Sequence, residues 1–535
     1  MKVEYQEVLP DPKRVIEGLR DTGYQIETAI EDIIDNSIAA EATKIEVNLD
    51  MDIAGNIAVS ISDNGFGMER DELIDAMRYG SKIRPNPASL GKFGLGLKTA
   101  STAFCRQLSV ISKTSKGTEY AKATWDLDHV AKVGKWELAL STPSKDELKL
   151  LQDVAGDGSG TLVVWNKVDR LLKNYADPGG AFAQKALDKV AFNLIAHSSM
   201  VYQRFLDHSD KRIGNIEIKI NGKIVKPYNP FCPEESGEPV LERTVPVEIS
   251  SKKTAEFIIR AYVLPNKWEF SSPDAYFNSR PGNENQGIYV YRENRLIHGP
   301  DWLRMYSKEP HMSLLRVEFS FNHKLDDAFH IDIKKSQIIL NDELYKWLSE
   351  EFLPPCRRAA EQRYRLGKKK TTDEASKDLH DSSNANIHNK AAEISESDIK
   401  IINKDKDIVE VTNKEGTIRT KIKILLPTKP GQVHIQPAST IEDGLLWEPC
   451  LIDKNKGVRI NTGHPYYSKV YLPNSNSGVT IQGLDSLLWA FCEAELTTLN
   501  EKTLKHFEEM RREVSRILRV LVEDLPEHVD DDSEQ

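Results

Sequence analysis

The sequence predicts an α+β protein of several domains: an α/β sandwich, then a mixed α+β domain, then a smaller α+β segment. Three observations predict it. Apolar residues recur at helical spacing through residues 11–40, and KIEVNLD and IAVSISD then alternate with a period of two around the turn MDIAGN. Asn221-Gly222 sits between apolar alternations, a strong hairpin signal. The chain of 535 residues is also too long for one hydrophobic core.

The elements follow in order. Residues 1–205 hold the first helix, the two strands, a Gly-rich segment from Asp63 to Ser101, the strand GTLVVWNKV and the helix KALDKVAFNLIAHSSMVYQRFL. A second domain, 206–365, opens with IEIKINGKIV, continues through FIIRAYVL, GIYVYRENRLI and LLRVEFSF, and closes on the helix DELYKWLSEEFLPPCRRAAEQRYR. Residues 366–397 are polar, with few large apolar side chains, and read as a linker. Residues 398–535 read as a C-terminal domain of strands, aromatics and one last helix, with an acidic tail.

Composition narrows the classes. No apolar run is long enough for a membrane span, and the N-terminus MKVEYQEVLPDPKRVIEGLR lacks an apolar signal core, so a cytoplasmic protein is expected. The five cysteines form no CxxC, which points away from zinc or a disulfide framework. Net charge is −10, but EDLPEHVDDDSEQ alone carries seven acids, so the body is near neutral. That disfavours a strongly basic nucleic-acid binder. The stretch RRAAEQRYRLGKKK reads first as a solvated helix end.

Chemistry concentrates near the N-terminus. In AIEDIIDNSIAA, Asp32 and Asn36 lie i, i+4 on one helix face, among Ile30, Ile33, Ile34 and Ile38. Burying an acid and an amide costs several kcal/mol, roughly, unless something solvates them. A metal ion with its water does so, and an amide oxygen suits magnesium. An acid one turn away can orient an attacking water. DNGFGM follows a strand, so Asp63 can accept from an exocyclic amine, with Gly65, Gly67 and Met68 shaping a close apolar turn. GKFGLGLKTAS places Gly91, Gly94 and Gly96 before a helix, where backbone amides can cradle phosphates. Its spacing is neither a Walker A loop nor a Rossmann loop.

These three motifs in this order resemble the GHKL ATPases of gyrase B, MutL, histidine kinases and the large heat-shock chaperones, and among them MORC and the bacterial MORC-like proteins. DIIDNSIAA resembles the magnesium helix, DNGFGM the adenine turn, and GSKIRPNPASLGKFGLGLKTAS the ATP lid. The resemblance implies a Bergerat-type α/β sandwich followed by an S5-like transducer domain, with ATP and Mg2+ as cofactors. It implies that Asn36 binds magnesium and Asp63 adenine. Ser81, Lys82, Gly91, Gly94, Gly96, Leu97 and Lys98 then belong to the lid and phosphate site, and Thr161 supports Asp63 through a water. HIDIKKSQIIL resembles the transducer loop whose lysine reaches the γ-phosphate, with Lys335 the first choice and Lys334 the second.

One departure stands out. The superfamily usually places Glu four residues before the magnesium Asn, where this chain has Asp32. Asp32 is read as the general base. Glu31 lies about 100° around the helix, so Glu31→Gln is expected to be nearly silent. Asp35 is open between a capping or pairing role and a functional one. The resemblance implies an ATP-dependent homodimeric clamp, with DNA as a substrate by analogy and a bacterial defence setting by association. The alternative is a non-hydrolysing, nucleotide-gated scaffold that recruits a partner protein through residues 398–535. Asn461 and His464, in VRINTGHPYYSKV, read as structural.

Overall fold

The computed structural model describes residues 6, 10–21, 23–80, 86–90, 96–172, 175–250, 253–326, 328–329, 342–376 and 378–525. Contacts divide the chain into two units, Met1–Arg363 and Tyr364–Gln535.

The helical pattern of residues 11–40 breaks in two. Helix α1, Pro12–Arg20, starts on the Asp11 side chain, which accepts from the Arg14 amide. Gly23 then takes a left-handed φ of 69°, which a helix interior does not accommodate, and helix α2, Ile26–Ala39, begins after it. Helix α2 buries Ala29, Ile30, Ile33 and Ile34.

Eight strands form the first sheet: β1 Lys44–Met51, β2 Ile57–Asp63, β3 Cys105–Lys113, β4 Ala121–Asp126, β5 Ala139–Ser141, β6 Gly160–Val168, β7 Glu217–Ile220 and β8 Lys223–Ile224. Their order is β5-β4-β3-β6-β2-β1-β7-β8. The helices of this layer are α3 Arg70–Met77, α4 Gly96–Phe104, α5 Leu127–Val133, α6 Lys145–Ala155, α7 Ala181–Val201 and α8 Gln203–Leu206. Because successive strand residues point to opposite faces, Val110, Val163 and Trp165 join Ile33 and Ile34 in one core. Their neighbours Ile111, Leu162 and Val164 pack on Leu151 of α6 instead.

The Asn221-Gly222 turn is where its left-handed backbone predicts, with φ 46° and 72°. Its strands do not open the second domain, however. Strand β7 pairs in parallel with β1, Ile45 opposite Ile218 and Val47 opposite Ile220, and so extends the first sheet. A parallel partner so distant in sequence leaves no local signature.

After the short helix α9, Pro233–Ser236, a second sheet gathers β9 Leu241–Ser250, β10 Lys253–Val263, β11 Gly287–Arg292, β12 Arg295–Asp301 and β13 Leu315–Phe321, with the short helix α10, Pro273–Asn278, between β10 and β11. Their order is β12-β11-β13-β10-β9. Phe257 stacks on Phe319 at 4.7 Å in its core. Helices α11 Asp342–Trp347 and α12 Leu353–Ala375 follow, joined by a π turn. Arg204 of α8 docks the two sheets: it reaches Glu318 of β13 at 2.7 Å and lies 3.7 Å from the Tyr291 ring centre.

In the second unit, the stretch read as a polar linker is largely helical. Helix α13, Asp381–Ile394, buries Ile387 in the local core. The side-chain Oδ1 of its Asn384 accepts from the amides of Val433, His434 and Ile435 at 3.1, 2.8 and 2.9 Å. Hydrogen bonds rather than an apolar stripe seat this helix, so the hydrophobic pattern does not reveal it. A three-stranded sheet, β14 Asp398–Asn403, β15 Ile408–Asn413 and β16 Gly416–Lys421, lies in this unit. So does a four-stranded one, β17 Ile424–Leu425, β18 Ile435–Ala438, β19 Trp447–Ile452 and β20 Asn455–Asn461. Helices α14 Gly478–Thr497 and α15 Glu501–Leu521 end the described chain. Among the described residues, no helix is long and apolar enough to cross a membrane.

Candidate functional site

A cavity of about 1340 Å³ opens over α2 and the end of β2. Asp32 and Asn36 line it from the helix, and Asp63, Gly67 and Met68 from the strand end and its turn. Gly96, Leu97 and Lys98 of α4 and Thr161 of β6 complete the set of predicted residues that the fold gathers there. Gly65 stands behind Asp63, to which its amide donates at 2.9 Å. Ser81, Lys82, Gly91, Gly94, Lys334 and Lys335 lie outside the described residues.

Asp63 is buried at the end of β2. The Ser37 hydroxyl donates to its Oδ2 at 2.7 Å, and the Gly65 and Thr161 amides also serve it. Burial nevertheless wins and pushes its pKa above the ordinary aspartate range. The Thr161 hydroxyl is shared with Ser112 at 2.9 Å, and the Ser112 oxygen accepts from the Met68 amide at 2.9 Å. Two serines missing from the sequence reading, Ser37 and Ser112, therefore hold the β2 end of the cavity. Ser37 was within reach of inference, since it directly follows Asn36. Gly67 has φ 70°, and a Cβ there would stand 2.0 Å from the Lys113 carbonyl oxygen, so only glycine makes this turn.

At the other end, the Tyr24 hydroxyl donates to Asp32 Oδ2 at 3.0 Å. A Cβ on Gly96 would lie 3.0 Å from the same oxygen, so the start of α4 passes directly over the Asp32 carboxylate. Helix N-termini attract anions, and here that end faces the acid and amide of α2. The Lys98 ammonium donates to the Ala76 carbonyl at 2.9 Å, tying α4 to the end of α3.

The opposite face of α2 is an ion cluster. Asp35 accepts from Tyr202 at 3.0 Å and from Arg295 Nε at 3.0 Å. Glu31 pairs with His197 at 2.8 Å and with Arg295 at 3.2 Å. Burial raises the Glu31 pKa, but Arg295 and His197 outweigh it and hold the group below its usual value. Asp35 is thus a pairing residue, and Glu31 is not a neutral surface position: the expected silence of Glu31→Gln is corrected below.

Asn36 and Asp32 offer an amide and a carboxylate oxygen, one helical turn apart, to one cavity. Hard oxygen donors of this kind fit magnesium, which takes few protein ligands and keeps waters and phosphate oxygens. The described lining carries eight carboxylates (residues 32, 41, 63, 69, 71, 72, 75 and 293) against Lys98 and Lys116. A polyphosphate there needs a cation to offset the repulsion. In the second unit, His464 Nε2 donates to the Ser515 carbonyl at 3.1 Å while its Nδ1 accepts from the Tyr466 amide, and Asn461 donates to the Leu445 carbonyl at 2.8 Å, both buried packing roles.

Residues 24–161 match the family described as histidine kinase-, DNA gyrase B-, and HSP90-like ATPase. ATPase MORC2B of Mus musculus is 29% identical over 89 residues, covering 16% of this chain and 9% of that protein. ATPase morc-1 of Caenorhabditis elegans is 28% identical over 86 residues, covering 16% of this chain and 10% of that protein. The matched stretch therefore spans about a tenth of either relative's length. A crystal structure of the N-terminal domain of a DNA repair protein superposes with a TM-score of 0.36 at 16% identity, covering 66% of this chain and 98% of that one.

Proposed function

We propose that this chain, whose residues 24–161 are a GHKL-superfamily ATP-binding domain similar to the MORC ATPases, is an ATP-gated dimerising clamp that hydrolyses ATP slowly. One observation carries the reading: a single cavity gathers the acid and amide of α2, the buried acceptor at the end of β2 and the start of α4. Asp63 accepts from the adenine 6-amino group while Ser37 and Gly65 hold the carboxylate still. Asn36 holds Mg2+, which when bound screens the phosphate charge. Asp32, oriented by Tyr24, positions the attacking water and takes its proton. Gly96 lets the phosphates approach the α4 terminus. Lys335, or Lys334 in its place, senses the γ-phosphate from the second domain.

ATP then orders the lid and drives pairing of two copies, a nucleotide-driven order transition. DNA as the clamped substrate, and a cytoplasmic role in bacterial defence, extend this by analogy. A second reading is a nucleotide-gated scaffold without turnover, recruiting a partner protein through residues 398–535. The shorter acid at Asp32 favours it. Light scattering of the full chain with and without a non-hydrolysable ATP analogue, beside single-turnover phosphate release, tests both. Analogue-induced dimers with slow release support the clamp. Dimers without release support the scaffold, and a monomer under both conditions removes the clamp.

A further inference from the structure

Strands β11 and β12 meet at Glu293-Asn294, where both residues are left-handed, φ 48° and 67°. Arg292 and Arg295 end the two strands of the second sheet at this turn, yet its Glu293 lines the cavity beside α2. Arg292 donates to the Pro87 and Ser89 carbonyls at 3.1 and 3.3 Å, on the described part of the lid, while two of its nitrogens hold Asp326 at 2.7 and 2.8 Å. Glu293 lines the cavity itself and accepts from the His323 amide at 2.8 Å. Asn294 accepts from Arg204 at 3.2 Å. Arg295 grips Asp35 and Glu31 on the back of α2.

An apolar contact would join the two sheets without the desolvation that a buried guanidinium and two buried carboxylates incur. What the charged cluster adds is fixed geometry. Glu31 directly precedes Asp32, and Asp35 directly precedes Asn36. Any rotation of α2 that re-aims the cavity pair therefore moves the two acids that Arg295 holds. The Pro87 and Ser89 carbonyls are held by Arg292, at the other end of the same four-residue tip.

We infer that the Arg292–Arg295 hairpin tip couples the second sheet to the nucleotide site, with Arg295 positioning Asn36 and Asp32 through α2 and Arg292 positioning residues 86–90. This rests on the ATP-clamp reading and adds a route separate from any lysine on the γ-phosphate. Movements of residues 86–90 and of the second sheet become one event, because a single turn grips both that segment and helix α2.

Two variants of the full chain test it. Asp35→Asn keeps the volume and an acceptor for Tyr202 but weakens the charge that Arg295 holds. Arg292→Lys keeps a cation for Asp326, but one ammonium cannot also span both lid carbonyls. Binding of ADP without magnesium, the magnesium dependence of ATP-analogue binding, and hydrogen exchange with and without analogue are measured. In Asp35→Asn the magnesium concentration for half-maximal analogue binding rises about tenfold, the size typical of lost support behind a metal ligand, while magnesium-free ADP binding holds. In Arg292→Lys, exchange at residues 86–90 quickens. In both, the analogue no longer slows exchange in β11–β13. A wild-type chain that binds no adenine nucleotide would sink the clamp reading itself. A wild type that binds, with no analogue effect on β11–β13 or with one that Arg292→Lys retains, overturns the hairpin link and leaves the clamp standing. Should Asp35→Asn not fold, Arg292→Lys decides alone.

Discussion

The Ser37 hydroxyl donates to the Asp63 carboxylate across 2.7 Å, joining the helix that carries Asn36 to the strand end that carries Asp63. One hydrogen bond thus spans the two halves of the cavity. Ser37→Ala removes it, at a net cost of about 1 kcal/mol, or roughly fivefold in ATP affinity. Preference for ATP over GTP remains, because the acceptor remains. Asp63→Asn, by contrast, loses that preference. Competition binding with both nucleotides checks the pair, and an Asp63→Asn chain that still favours ATP fully would make Asp63 a turn residue only.

The raised Asp63 pKa has a pH consequence. Burial favours the protonated acid, so the acceptor is lost as the pH falls through a value above the ordinary aspartate range. ATP affinity should fall over that same interval. The interval moves further up in Ser37→Ala, which removes a donor to the ionised form. An affinity profile that is the same in wild type and Asp63→Asn would refute this.

Asn36→Ala is expected to abolish magnesium-dependent ATP binding or turnover while the fold persists, since the residue is half-buried at the cavity wall. A magnesium titration of analogue binding is the direct measurement, and an unchanged midpoint would remove Asn36 from the metal site.

Asp32→Asn should bind ATP and lose turnover, and Tyr24→Phe should slow turnover less. Asp32→Glu restores the usual reach of the superfamily, so a faster rate shows that the short acid limits hydrolysis. The start of α4 opposes it: Gly96 lies directly over the carboxylate, and one added methylene in a tight site costs roughly 1–3 kcal/mol. Phosphate release in a single turnover separates the outcomes.

Glu31→Gln is not silent. It leaves Arg295 with one paired buried carboxylate, Asp35, instead of two, at a cost of about 3 kcal/mol, typical of a broken buried pair. Thermal unfolding reads this as a lower transition. The pair is also pH-dependent. The lowered Glu31 group contributes fully above 4.5 and is lost as the pH falls through its folded value. Burial lowers the His197 pKa, but the Glu31 hydrogen bond and charge outweigh it and raise the group, so its contribution is full below 6.5 and is lost as the pH rises through its folded value. Stability from this pair therefore peaks between those limits, and His197→Gln should flatten the alkaline side.

Much of the site could be read from the chain because its parts are local. An i, i+4 spacing puts Asp32 and Asn36 on one face of any helix, and a glycine-rich turn after an alternating strand places Asp63 at a strand end. Those rules act over a few residues. The tertiary structure alone decided what lies behind that helix. Arg295 meets Asp35 across 260 residues of sequence, β7 finds β1 rather than the second sheet, and α13 is seated by one asparagine on β18. None of these follows from periodicity, because a long-range pairing is chosen by which buried groups must satisfy one another once the chain has closed on itself. The sequence by itself therefore determined that Asp32 and Asn36 share one helix face and that Asp63 ends a strand, and the fold decided which other groups meet them and which charges hold them there.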